Sequence, residues 1–224
     1  MYLDRLIEEL YGEEFCGGPP IPAAIDRMQE PDPVSVFARL ELGKTYYSKH
    51  VHMRRTTYFE NNLLGPNDKI IYQTRSTEDV IVSLYDHLDR QRADKGELRF
   101  FTYTTANDIW DRASQEERFE FIVFAMLPFI LDMDASWKED DQTIVVGYEE
   151  VTKDTKACLT RIAHHIGRPK SPDEIEAAIS RVNAQQSAKV TNHNVGVSGR
   201  GKKMLEPELL ERIHALKARW QVQG

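Results

Sequence analysis

At 224 residues the chain has the length of one domain, enough to bury a sheet with helices on both faces. Its composition is globular, 41% hydrophobic and 29% charged, with no low-complexity tract. A formal net charge of −7 excludes the basic surface of a general nucleic-acid binder, yet leaves room for a local anion pocket built from a few side chains. Cys16 and Cys158 lie far apart without metal-ligand spacing and read as buried, reduced thiols. The longest apolar stretch, Phe119 to Leu131, contains Glu120 and Pro128 and is too short to cross a bilayer. The first residues are acidic where a signal peptide would be basic, so the expected location is the cytoplasm, with no membrane partner.

The chain opens inside a helix: Tyr2, Leu3, Leu6, Ile7 and Leu10 follow helical spacing, with charge on the other face. Gly17-Gly18-Pro19-Pro20-Ile21-Pro22 reads as a turn-rich break, and a short helix is expected over Val34 to Leu42. Thr45 to His52 is rich in β-formers and reads as a strand, followed by a short helix near Thr57–Leu64 that ends at Gly65-Pro66. Lys69 to Thr74 is a compact apolar run suited to a buried parallel strand. Directly after Arg75, Ser76-Thr77-Glu78-Asp79 is a helix start, with an N-cap serine three residues before an acid. Leu98 to Thr104 reads as a further strand, and a long helical region from Asn107 to Trp137 is expected to break at Pro128. The apolar run within it, Phe119 to Leu127, reads as helix core, with the wall of an acceptor pocket as the alternative. Thr143 to Tyr148 reads as a strand, and helices follow over Thr155 to Ile166 and Pro172 to Asn183. Ser187 to Arg200 is polar and glycine-rich, the signature of a loop, and a last helix runs from Pro207 to Trp220. Strands alternating with helices, without repeat or linker, predict a single α/β domain over residues 1–224 with a mostly parallel central sheet flanked by helices.

One constellation carries chemistry. A buried strand delivers Arg75 to the carboxyl edge of the sheet, where ligands of open α/β folds bind. The helix after it lifts Ser83 two turns further on, so a guanidinium fork and a hydroxyl can converge on one anionic group. This stretch, Ile70-Ile71-Tyr72, Arg75, then Asp79-Val80-Ile81-Val82-Ser83-Leu84-Tyr85, resembles the donor-binding segment of the sulfotransferase family. Members of that family use 3′-phosphoadenosine 5′-phosphosulfate (PAPS) and release adenosine 3′,5′-bisphosphate (PAP). The resemblance implies that Arg75 and Ser83 hold the donor's 3′-phosphate. It also implies a P-loop nucleotide-hydrolase-like architecture and a reaction that needs no metal.

Downstream, Val145-Val146-Gly147-Tyr148-Glu149-Glu150 followed by Ile166-Gly167-Arg168-Pro169 is similar to the family's strand–Tyr-Glu–helix–Gly segment, which makes Tyr148 a contact to the adenine side. Gly196-Val197-Ser198-Gly199-Arg200-Gly201-Lys202 is similar to the family's late glycine-rich loop over the 3′-phosphate. The usual Arg-Lys is replaced there by Asn194-Val195 and the usual Trp by Gly201, so Arg200 or Lys202 would supply the charge. Lys49-His50-Val51-His52 falls where the family places its catalytic histidine. Two histidines two residues apart on a strand share a face, so either His50 or His52 is the candidate base, with Lys49 beside them. The family's 5′-phosphosulfate loop, a Pro-Lys-Ser-Gly-Thr-Thr-Trp-like turn at a helix N-terminus, does not occur in the sequence. Met1-Tyr2-Leu3 resembles the opening of the helix that comes after that turn, so the first strand and loop are expected to lie ahead of Met1.

The resemblance thus implies transfer of a sulfonate from PAPS to a hydroxyl or amine on a small molecule or glycan. Two rivals stand beside it: a related nucleotide or phosphoryl-transfer enzyme, and a non-catalytic sulfotransferase-like protein that binds a nucleotide or partner.

Overall fold

A computed structural model of the chain describes residues 2–12, 14–17, 45–47, 54–96, 98, 105–188 and 198–223. The chain divides into two compact units, one formed by Met1–Thr74 with Ser136–Thr191, the other by Arg75–Ala135 with Asn192–Gly224.

The first unit holds the strands. β1 (Cys16–Gly17) pairs in parallel with β2 (Tyr46–Tyr47), so the predicted turn begins one residue inside a strand. β3 (Ile70–Thr74) pairs in parallel with β4 (Thr143–Gly147), from Ile70 opposite Thr143 to Thr74 opposite Gly147. The β-branched run Thr143-Ile144-Val145-Val146 suits a strand covered on both sides, and Ile144 and Val146 are buried. Helices Tyr2–Tyr11, Tyr148–Lys153, Thr155–His165 and Pro172–Ala188 supply the rest of this core through Leu3, Leu6, Ile7, Val151, Leu159 and Ile175. Their starts are written locally: Asp154 Oδ1 accepts from Ala157 N at 3.0 Å, and Ser171 and Glu174 cap one another's backbone N–H groups. Cys158 is buried in this core, and its thiol is pushed up to about 11, first by burial and then by Glu150. The architecture is α/β, with every described strand pair parallel.

The second unit is helical among the described residues: Thr77–Lys95, Thr105–Arg112, all but the last residue of Gln115–Ser136, Gly201–Met204 and Pro207–Gln223. Its core gathers Ile81, Leu88, Trp110, Ile122, Leu127 and Ile213, and the Phe119–Leu127 run lies in it apart from exposed positions such as Phe124. The predicted break at Pro128 does not occur. The helix runs through it, and the long region divides instead at Ala113–Ser114. There Ser114 Oγ accepts from Glu117 N at 3.2 Å while Glu117 Oε2 accepts from Ser114 N at 2.6 Å, a capping box that starts a new helix. Pro128 forgoes one bond to the carbonyl of Phe124, a residue 83% exposed, where solvent can take over the orphan acceptor.

The expected helix over 34–42, residues 48–52 of the strand predicted from Thr45, residues 99–104 of the strand predicted from Leu98, and most of the glycine-rich loop (189–197) lie outside the described residues.

Candidate functional site

Arg75 is the first residue after β3 and the first of the second unit. The Thr77–Lys95 helix begins beyond it because Ser76 caps the helix from a non-helical conformation (φ −55°, ψ 134°), its Oγ accepting from Asp79 N at 3.3 Å. The first turn of that helix is polar yet buried: Thr77, Glu78 and Asp79 are each under a tenth exposed. Carboxylates are tolerated there because the N-terminus of a helix is its positive end, but burial still demands partners.

Asp79 finds them in a segment 120 residues away. Its Oδ2 accepts from Gly199 N and its Oδ1 from Gly201 N, each at 2.7 Å. The Arg75 guanidinium stands 3.9 Å from Oδ2, close enough for charge and too far for a hydrogen bond. Burial works to raise the Asp79 carboxyl, but the Gly201 and Gly199 amides, Arg75 and the Ser76 hydroxyl outweigh it and hold it below the ordinary range. Glu78 is treated alike: burial raises it, while its own backbone N–H, the His214 ring 2.7 Å away and Lys217 bring it below its usual value.

The approach of the 199–201 turn to this helix is very close. A Cβ added at Gly201 would stand 2.4 Å from the Glu78 carbonyl carbon, so only glycine fits. Gly199 has φ +81°, a left-handed conformation that also favours glycine. Between them Arg200 is engaged with the same helix further along, its Nη1 donating to Asp86 Oδ2 at 2.6 Å. Lys202 is exposed on the short Gly201–Met204 helix.

Asp79, Ser83 and Asp86 are spaced four and three residues apart and so share one face of the helix. Ser83 is half-buried between the two acids that hold the 199–201 segment, about 9 Å along the axis from Thr77. The structure therefore places Arg75, Ser83, Arg200 and Lys202 in one unit. It ties the helix that carries Ser83 and starts behind Arg75 to the turn that carries Arg200. Lys49, His50, His52 and Gly196 lie outside the described residues. Arg55 is firmly fixed: its N–H donates to Ser136 Oγ at 3.0 Å and its side chain to Glu60, Asp140 and Thr143.

Tyr148 belongs to the first unit and is half-buried. It opens the Tyr148–Lys153 helix rather than ending the strand, because Gly147 already acts as the N-cap. Glu150 Oε2 accepts from Gly147 N at 3.4 Å and Glu150 Oε1 meets Arg161 at 2.8 Å, while Arg161 Nη2 donates to the Val145 carbonyl at 2.6 Å. This bracing fixes the corner from which Tyr148 projects.

Sequence reasoning missed the roles of Asp79 and Asp86. Asp79 reads as a helix-start acid, and nothing local says that its partners are two distant backbone amides. The readable signal was the stripe itself, three polar residues at helical spacing on one helix.

Among the described residues no helix is long and apolar enough to cross a membrane. Among curated proteins no sequence matches significantly. Solved structures share the fold. A mouse sulfotransferase in complex with PAP superposes with TM-score 0.65 at 16% identity, over 97% of this chain and 79% of that one. Retinol dehydratase with androsterone and inactive cofactor PAP gives 0.59 at 12% identity, over 98% of this chain and 75% of that one. The same enzyme with retinol and PAP gives 0.61 at 12%, over 97% and 75%. The sequence profile of the sulfotransferase domain matches residues 43–206, a span that takes in β2 to β4, the Arg75-headed helix and the Gly199–Gly201 turn, and the chain belongs to that family.

Proposed function

We propose that the protein is a cytoplasmic sulfotransferase that moves a sulfonate group from PAPS to a hydroxyl or amine of a small-molecule or glycan acceptor, and that residues 1–224 act as one domain. The family profile running across both compact units supports the single-domain reading. PAP in the solved relatives, with androsterone or retinol in two of them, supports this donor and a small-molecule acceptor. The observation that carries the reading is the pair of Asp79 bonds to Gly199 and Gly201. They join two family segments more than a hundred residues apart into one piece of structure.

In this reading Arg75 and Ser83 hold the 3′-phosphate, Tyr148 contacts the adenine side, and Gly196, Arg200 and Lys202 belong to the closing loop. The acceptor oxygen or nitrogen attacks sulfur in line, a new bond to sulfur forms as the bond from sulfur to the bridging phosphate oxygen breaks, and PAP leaves. His50 or His52, near Lys49, takes the acceptor's proton. Catalysis of this kind rests on positioning and on neutralising charge on the leaving phosphate, as in phosphoryl transfer.

Calorimetric titration with PAP tests the donor site. Hydrogen bonds from a charged group contribute about 1.5–3 kcal/mol, so Arg75→Ala should weaken PAP by roughly 10- to 100-fold. No binding to the wild-type protein, or equal binding to the variant, would sink the reading. Binding without sulfonate transfer to any hydroxyl or amine acceptor would favour a nucleotide-binding, non-catalytic family member.

A further inference from the structure

We propose that Asp79 is a positioning residue for the donor nucleotide: its carboxylate fastens the Gly199–Gly201 turn to the head of the Arg75-bearing helix, so that this part of the site is built before the nucleotide arrives. The inference rests on the sulfotransferase reading and adds to it a residue that need not touch the nucleotide.

The case is one of donor and acceptor matching. Two backbone N–H groups converge on one side chain, and an aspartate presents two acceptor oxygens, one at 2.7 Å from each. Its side chain is 1% exposed, so water cannot substitute for it. An asparagine of the same shape would offer one oxygen and one NH2, setting a donor against a donor at one of the two glycines. The same carboxylate acts on Arg75 by charge alone, since 3.9 Å is beyond hydrogen-bond reach. It can therefore bias the guanidinium toward the helix head without accepting its hydrogen bonds. Gly201 against the Glu78 backbone leaves the turn no alternative seat, and the Arg200–Asp86 pair fastens it a second time along the helix. A site fixed in this way loses less of its binding energy to the ordering of a loop.

Two measurements on the full chain separate this role from a merely structural one. Amide hydrogen exchange without ligand should show residues 198–204 exchanging at least tenfold faster in Asp79→Asn, while the Pro207–Gln223 helix keeps its protection. PAP affinity should fall at least tenfold, and where turnover is measured the donor KM should rise with kcat within about twofold. Unchanged exchange in the variant overturns the fastening. Lost protection with PAP affinity within twofold of wild type overturns the link to the donor. Wild-type protein that binds no PAP removes the donor role together with the sulfotransferase reading, and the exchange result then shows which of the two claims failed. If Asp79→Asn does not fold, Asp79→Glu takes its place: it keeps charge and both acceptors one methylene further out. Its donor affinity should fall severalfold, and wild-type affinity would overturn the proposal.

Discussion

Replacing Gly201 by alanine should be among the most costly single-methyl additions in the second unit. In an open helix the exchange would stabilise, by up to about 1 kcal/mol, because alanine loses less backbone freedom. Here the new Cβ would lie 2.4 Å from the Glu78 carbonyl carbon, 2.5 Å from its Cβ and 2.6 Å from its oxygen. Two of those atoms are backbone in the first turn of the Thr77–Lys95 helix, so no side-chain rotation relieves the clash. The turn must retreat by on the order of 1 Å to reach ordinary contact, which would carry the 2.7 Å Gly201–Asp79 bond past 3.5 Å. Overpacking costs about 1–3 kcal/mol and a lost bond to a buried carboxylate about 1.5–3 kcal/mol. Less an alanine gain of about 1 kcal/mol, the net loss is about 1.5–5 kcal/mol. Urea unfolding followed by the fluorescence of Trp110, 1% exposed in the second unit's core, measures it. The hydrogen-bond share should vanish in an Asp79→Ala background, which has no acceptor for Gly201 N, making the double variant less than additive. A Gly201→Ala protein within about 0.5 kcal/mol of wild type would refute the close packing and the reasoning built on it.

Gly199→Ala should cost less, about 1–2 kcal/mol, because its φ of +81° is strained for alanine while no atom lies within 4 Å of the added methyl; an equal or larger loss than at Gly201 in the same urea experiment would reverse the assignment. Ser114→Ala removes the side-chain half of the capping box and should destabilise the unit by about 0.5–2 kcal/mol, and a loss near zero would show that the helix is not started there. Acid should loosen the helix head. The Asp79 carboxyl is depressed in the fold, so its contribution is full above the ordinary aspartate value of about 3.9 and is lost as pH falls through its lower folded value. Arg75 faces it, while His214 and Lys217 of the C-terminal helix act on the neighbouring Glu78. Thermal melts should therefore show Asp79→Asn losing less stability than wild type below about pH 4, and parallel curves would contradict the shift.

What the sequence disclosed and what it hid divide along the range of the interactions. β3, β4 and the Thr77–Lys95 helix are local facts: β-branched runs make the strands, and Ser76 with two acids makes the helix start. The placement of Arg75 after the strand and of Ser83 on the helix is legible for the same reason, since their separation is fixed by one strand end and two helical turns. The helix boundary near 113 is equally local, in the form of Ser114 and Glu117, but proline is the stronger general helix breaker and points to Pro128 instead. Pro128 is tolerated because one missing bond at an exposed position costs little beside the buried face it helps to hold. The fastening of the 199–201 turn was not legible. Its donors are main-chain amides, identical in every residue but proline, and its acceptor lies 120 and 122 residues away. Gly201 looks, in sequence, like the loss of the family's tryptophan; only in the fold does its missing side chain become the reason that the turn can reach Glu78.

A helix meant to hold an anion would be expected to offer its positive end, yet this one buries two carboxylates in its first turn. The contradiction resolves when the partners are followed. Asp79 directs its charge to the Gly199 and Gly201 amides and to Arg75, and Glu78 to its own N–H and His214, so the helix end is largely neutralised by its own residues. An incoming phosphate then draws little from the helix dipole and depends on side-chain cations. Arg200 is paired with Asp86 at 2.6 Å across the turn, whereas Arg75 sits at the helix head, 3.9 Å from the Asp79 carboxylate. Of the two arginines, Arg75 is the one whose loss should weaken PAP most, and Arg200→Ala should act chiefly through the position of the turn. Comparing the two variants by calorimetry decides the point: a larger effect at Arg200 would mean that its pairing with Asp86 gives way when the nucleotide binds, and that the loop, not the helix head, supplies the charge.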